Sequence, residues 1–188
     1  MQLLALSPRR LTGVAAIASA AALTPVAALA ATASPAAPAA TAVTPKCATA
    51  GLVVWMNTDG SAAAGSVFYT LMFTNLSGHA CMLHGHPGVS GASLTGHRLG
   101  SPAAWQPPGG HVVKLASGAT AYAVLQCSHV LTGNNGPETC NAVTAAGLRI
   151  YPPGQTVSKI VSFPLTVCTR SGLVYMSVRS VQKTPPPS

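Results

Sequence analysis

The sequence predicts an all-β domain over residues 47–183: a two-sheet, immunoglobulin-like sandwich of about eight or nine strands held by two disulfides. Three observations carry that expectation. Short β-rich runs alternate throughout with Gly, Pro, Asn and Ser punctuation. No stretch keeps the 3.6-residue apolar period of an amphipathic helix of useful length. Five cysteines, Cys47, Cys81, Cys127, Cys140 and Cys168, fall inside the region, which is the arithmetic of two bonds and one leftover thiol.

The residues ahead of the domain read differently. Arg9-Arg10 precedes Leu11 to Ala30, an uncharged run of small apolar residues that ends on Ala28-Leu29-Ala30. A basic start, an apolar middle and a small-x-small exit are the marks of a secretory signal peptide, here residues 1–30. The competing reading is a retained membrane anchor, but the run is mostly alanine and Pro25 interrupts it. Arg9-Arg10 also raises twin-arginine export, which Leu11-Thr12-Gly13 fits poorly. With the signal cleaved, no stable membrane span is expected. Residues 31–46, built from Ala, Pro, Thr and Ser, bury too little apolar surface to offset the entropy of ordering, and read as a disordered linker. Residues 184–188, Thr-Pro-Pro-Pro-Ser, are expected to be a disordered tail.

The strands follow in chain order. Gly51 to Trp55 opens, and the turn-forming run Asn57-Thr58-Asp59-Gly60 is expected to close it. Ser66 to Thr74 is the clearest strand. Val67, Tyr69, Leu71 and Phe73 share one face, with Phe68 and Met72 on the other, the pattern of a central strand. After the turn Asn75-Leu76-Ser77-Gly78, Ala80 to His86 alternates, with Cys81 and Leu83 on one face and Met82, His84 and His86 on the other. His111 to Ala116, Ala119 to Cys127, Ala142 to Tyr151, Thr156 to Phe163 and Leu173 to Val181 complete the set. Asn134-Asn135-Gly136-Pro137 reads as a long loop.

Charge is scarce and one-sided, with ten Lys and Arg against two acids, Asp59 and Glu138. Losing Arg9 and Arg10 with the signal takes the formal charge from +8 to +6. Such a chain is attracted to anionic cell-envelope polymers. Arg98, Lys114, Arg149, Lys159, Arg170 and Arg179 stand singly in the sequence, with no basic run interleaved with aromatics, so nucleic-acid readout is not expected.

Three segments carry a family resemblance. Asn75-Leu76-Ser77, then Cys81-Met82-Leu83-His84-Gly85-His86-Pro87-Gly88-Val89, resembles the N-x-S and C-x-L-x-G-[YH]-P-G-V stretches of domain-of-unknown-function family 4232, exported proteins of actinobacteria. Val113 to Ala123 resembles the family's V-x-L-x-P-G-x-x-A-x-A stretch. Cys140, Leu148-Arg149-Ile150-Tyr151-Pro152-Pro153-Gly154 and Cys168 resemble its C-terminal third. The resemblance implies a secreted sandwich with bonds Cys47–Cys81 and Cys140–Cys168, and it implies no activity. His86 stands where a tyrosine is common, and Cys127 is an additional cysteine. The cysteine arithmetic alone leaves about 15 pairings open, among them a Cys127–Cys140 bond.

The chemistry-bearing residues point away from catalysis. Acid–base work needs paired carboxylates or a base oriented by an acid. Asp59 and Glu138 are the two acids, each in turn-forming surroundings. No G-x-S-x-G elbow and no phosphate-cradling loop occurs, and with no C-x-x-C pair a zinc ribbon or thioredoxin-type centre has no support. No cofactor is implied. If His84-Gly85-His86 continues a strand, the two imidazoles share a face with Cα atoms roughly 6.5–7 Å apart. Such a pair can hold copper or zinc, with Met82 as a soft third ligand. Cys127-Ser128-His129 has the look of a thiol–imidazole nucleophile. However, Cys127 shares its face with Ala121, Ala123 and Leu125 and is expected to be a buried, unreactive free thiol. Trp55 and Trp105 are expected in core or staple packing, with sugar stacking as the alternative. The sequence thus predicts a secreted or cell-wall-associated, non-catalytic binding domain, with an extracellular copper- or zinc-binding protein as the alternative.

Overall fold

A computed structural model describes residues 43–128 and 137–187. The signal segment, most of the linker, His129 and Asn134-Asn135-Gly136 lie outside the described residues. Eleven strands and two short helical turns, Thr49–Gly51 and Pro137–Cys140, make up the described fold. In chain order the strands are β1 (Leu52–Ala63), β2 (Ser66–Asn75), β3 (Cys81–Leu83), β4 (Gly88–Ala92), β5 (Arg98–Leu99), β6 (Ala104–Trp105), β7 (Val113–Leu115), β8 (Thr120–Ser128), β9 (Ala142–Tyr151), β10 (Lys159–Cys168) and β11 (Met176–Val178). They form a five-stranded sheet in the order β1-β2-β8-β11-β6, a four-stranded sheet β10-β9-β4-β5, and a two-stranded ribbon β3-β7.

The two larger sheets share one apolar core, as sandwich packing requires. Leu71 and Phe73 of β2, with Ala121, Ala123 and Leu125 of β8, have no solvent exposure, and neither do Leu148 and Ile150 of β9. Each sheet contributes both small and large side chains to a single cluster. The Tyr69 and Phe163 rings meet edge to face at 5.1 Å and tie β2 to β10. β2 pairs with β1 on one side and β8 on the other, which makes it the central strand its two-faced apolar pattern requires.

Several boundaries differ from the sequence expectation. β1 does not stop at Asn57-Thr58-Asp59-Gly60. It runs through those residues as an irregularity in which the register with β2 shifts between Asn57 and Ser61. Asn57 Oδ1 accepts the Asp59 backbone N–H at 3.0 Å, so the side chain that favours a turn here stabilises a bulge. The hairpin turns instead at Ala64-Gly65, whose φ values of 47° and 74° give the type I′ geometry that follows the twist of the strands. β10 starts later than expected and runs past Phe163. Pro164 is tolerated because β10 is an edge strand with its own register shift between Ser162 and Leu165. β4, β5 and β6 were not expected. β4 is rich in Gly, Ser and Ala, and its Val89, Ser90, Gly91 and Ala92 are all buried. Its pairing is imposed by packing rather than by propensity. The C-terminal tail does not simply leave the domain: Pro185, Pro186 and Pro187 line a groove on the outer face of β1, β2 and β8, with Pro186 half-buried.

Asn75 closes β2 and is fully buried. Its Nδ2 donates to the carbonyls of His79 (2.8 Å), Leu115 (3.1 Å) and Ala116 (3.1 Å). Its Oδ1 accepts from the Ser77 N–H (3.1 Å) and hydroxyl (2.7 Å). Its backbone N–H donates to Ala119 and its carbonyl accepts from Gly118. A single amide thus joins the end of β2, the turn into β3, and the turn between β7 and β8.

The two disulfides are Cys47–Cys81 and Cys140–Cys168, with sequence separations of 34 and 28 and Cα–Cα distances of 4.9 Å. The first pins the start of the domain to the β3-β7 ribbon, and the second ties the helical turn before β9 to the end of β10. All four cysteines are buried.

Two stability predictions follow from these contacts. Asn75→Ala removes the side-chain donor from three carbonyls, that of Leu115 buried, and should cost about 2–4 kcal/mol, whereas Ser77→Ala should cost about 1 kcal/mol. In thermal melts the first should lower Tm by about 10 °C and the second much less. Loops of these lengths give each disulfide roughly 3–4 kcal/mol in the chain-entropy account, against a typical total of about 5–15 kcal/mol. Reduction of both should abolish cooperative melting near 37 °C, read by circular dichroism. A reduced sample melting at the oxidised temperature would refute the staple argument.

Candidate binding surfaces

The histidine pair is not assembled as a strand pair. β3 ends at Leu83, and Gly85 adopts φ +93°, a left-handed conformation that breaks the alternation on which a shared face depends. His84 is exposed. His86 turns to β6 instead: its ring stacks on Trp105 at 5.5 Å with an interplanar angle of 10°, and its Nε2 lies 2.7 Å from the Gln106 carbonyl oxygen. An aromatic ring with a polar tip meets both needs. Met82 is half-buried between its neighbours in the ribbon. Among the described residues, no group of three His, Cys, Asp or Glu side chains converges as metal ligands.

Cys127 is the free cysteine, and it sits at the end of the inner row Ala121, Ala123, Leu125. It is half-buried rather than fully enclosed, opposite Val67 and Met176. Burial nevertheless pushes its thiol up to about 12. Burial also raises Tyr69 and Tyr175, each further raised by the Cys127 thiol nearby. The Tyr175 hydroxyl is buried, and the Cys168 backbone beside it offsets only part of that rise. This corner of the sheet disfavours charge, which is the opposite of what an activated nucleophile requires.

The outer face of the five-stranded sheet is a more open surface. Register places Trp55, Met72 and Tyr122 in one row, Asn57, Thr70 and Val124 in the next, and Ser61, Phe68, Gln126 and Ser177 in a third. Trp55 and Trp105 are both exposed, at 46% and 66%, so neither is a core residue. Trp55 Nε1 donates to Thr74 Oγ1 at 3.3 Å. Gln106 Nε2 donates to Gln126 Oε1 (2.8 Å) and Ser177 Oγ (2.7 Å), and Gln126 Nε2 donates to Ser66 Oγ (3.1 Å). Asn57, Asp59, Phe68, Thr70, Met72 and Val124 line a groove of about 400 Å³ that the proline tail borders.

A second groove, of about 770 Å³, opens where the Pro108–Lys114 segment meets residues 180–183. Lys114, Lys183 and His111 line it, all three exposed, and among the described residues no acid does. Lys46 extends this charge. It bridges Met82, which pairs with Lys114 on its other side, so two lysines lie one strand apart from a shared neighbour, about 10 Å between Cα atoms. Cations far apart in the sequence are brought together by the ribbon and the C-terminal segment. Sequence spacing carried no trace of this cluster, because it depends on the pairing of three separate segments.

The fold is a disulfide-stapled all-β sandwich with grooves on its surface. The family model described as domain of unknown function DUF4232 matches residues 47–185, and the chain belongs to that family. No curated protein and no solved structure matches it. Among the described residues, no helix is long and apolar enough to cross a membrane.

The thiol gives a pH prediction. Its folded pKa of about 12 lies above the ordinary value of 9.0, so the neutral form is favoured in the fold. Its contribution to stability is therefore complete below pH 9 and is lost as pH rises toward 12. Cys127→Ala should flatten the fall in Tm over that window. With its pKa raised by burial, the thiol stays neutral at pH 8, so native protein should resist iodoacetamide and yield one labelled thiol after denaturation. Rapid native labelling would contradict this.

Proposed function

We propose that the chain is an exported, non-catalytic binding module of the cell envelope, held to anionic polymers through the groove of Lys114, Lys183 and His111. The observation that carries this reading is the gathering of Lys46, Lys114 and Lys183 on and beside one concave surface that, among the described residues, no acid lines. A chain with two acids has little to neutralise these cations from within. The attraction is to phosphate- or carboxylate-bearing chains. Two disulfides suit an oxidising compartment, and the basic-apolar-small order of the first 30 residues suits export to it. Lysine, a flexible point charge, fits a polymer recognised by charge more than by a fixed bidentate geometry.

Co-sedimentation with a poly(glycerol phosphate) wall polymer and with uncharged glycan chains tests the proposal. Binding to the phosphate polymer should weaken as salt rises from about 50 to 300 mM, because screening shortens the reach of each charge. Lys114→Ala/Lys183→Ala should weaken it about tenfold without lowering Tm. Equal binding by the double variant, or a preference for the uncharged glycan, would overturn the assignment.

A further inference from the structure

We infer that the groove on the outer face of the five-stranded sheet is a receptor for an extended, proline-rich polypeptide, and that the chain's own tail is its resident occupant. The groove is distinct from the cationic one and lies on β1, β2 and β8. Its floor is apolar: Phe68 and Met72 of β2 and Val124 of β8, all half-buried. Pro185, Pro186 and Pro187 form one side. Asn57, Thr70 and Arg179 supply polar groups around the floor.

These groups match what a polyproline II helix needs. That helix repeats every three residues at about 3.1 Å per residue and makes no internal hydrogen bonds. Its pyrrolidine rings offer apolar faces to aromatic and thioether side chains, while its carbonyls are free to accept hydrogen bonds. Asn57 Nδ2 and the Thr70 hydroxyl are donors within the groove. Arg179 has guanidinium N–H groups beyond the one that Nε gives to Gln106 Oε1 at 3.3 Å. Three successive prolines span about one turn, and they arrive with their φ angles fixed, so little conformational entropy is lost on docking.

The tail is anchored just upstream. Gln182 exchanges backbone hydrogen bonds with Tyr122 at 2.9 and 2.8 Å, and its Nε2 donates to the Thr184 carbonyl at 2.8 Å. This holds the prolines at high effective concentration over the groove. A proline-rich strand supplied in trans must therefore displace the tail.

The experiment uses the full oxidised chain and a variant with Pro185→Gly, Pro186→Gly and Pro187→Gly. Each is titrated with a decaproline peptide and, separately, with an uncharged chito-oligosaccharide. Binding is read from the methyl resonance of Met72 and from Trp55 fluorescence, Trp55 being paired with Met72 across the strands. The tail variant should bind decaproline at least about tenfold more tightly than the parent, because the competitor in cis has been removed. The Met72 resonance should also shift on tail substitution alone. Phe68→Ser in the variant background should lose the peptide, while Lys114→Ala/Lys183→Ala should leave it unchanged, which separates this site from the cationic groove. Equal affinity for parent and variant, no decaproline binding by the variant, or a Met72 shift produced by the oligosaccharide and not the peptide would each overturn the inference. The tail substitutions lie outside every strand, so the comparison stands even if Phe68→Ser impairs folding.

Discussion

The buried carboxamide of Asn75 is the contact on which the arrangement of the ribbon depends. The β3-β7 ribbon has three residue pairs and is too short to hold itself. It is held from outside, by the Cys47–Cys81 bond at one point and by the Asn75 hydrogen bonds to Leu115, Ala116 and His79 at others. A buried polar side chain with both its donor and acceptor ends used adds specificity, because no apolar replacement could direct three carbonyls to one place. The Asn75-Leu76-Ser77 segment is thus an architectural element of this chain. Ser77 completes it by donating to the side of the amide that the carbonyls leave free.

The same ribbon positions the charge. Lys46 and Lys114 come together because both segments pair with β3, and Lys183 joins them because the C-terminal segment crosses β8 at Tyr122. The scaffold and the cationic groove therefore share their supports. Loss of Asn75 or of the first disulfide would disperse the lysines as well as loosen the core. The outer face of the five-stranded sheet shares with this corner the Gln182–Tyr122 bridge, but its floor stands on β1, β2 and β8, whose mutual pairing is long and regular apart from the bulge in β1.

Much of the architecture was legible from alternation. β2, β8 and β9 carry clear apolar patterns, and β9 begins and ends at Ala142 and Tyr151, where the sequence places it. The disulfide pairing was legible only through the family resemblance. What alternation could not reveal lies where packing overrides propensity. β4 is built of Gly, Val, Ser, Gly and Ala, a composition that reads as a turn until a strand is laid on each side of it. Asn57 and Gly60 read as a hairpin turn and prove to be a bulge, because the same turn-forming chemistry serves both. The histidine pair rested on strand geometry continuing through Gly85, and a glycine is the residue that can decline to continue it. The cationic groove and the proline-lined groove had no local signal, since each draws on segments distant in sequence.

The bulges in β1 and β10 have one more consequence. These two strands are the outermost of their sheets and, at 12 and 10 residues, among the longest in the domain. Straight edges of that length would present rows of unpaired N–H and C=O groups to any passing chain. In β1 the ladder is interrupted between Asn57 and Ser61; in β10 it is interrupted between Ser162 and Leu165, where Pro164 also removes a donor. The opposite edges, β5 and β6, have two residues each. Beyond the mutual repulsion of a one-sided net charge, the domain resists edge-to-edge stacking by leaving no long, unbroken margin on which a neighbour could continue the sheet.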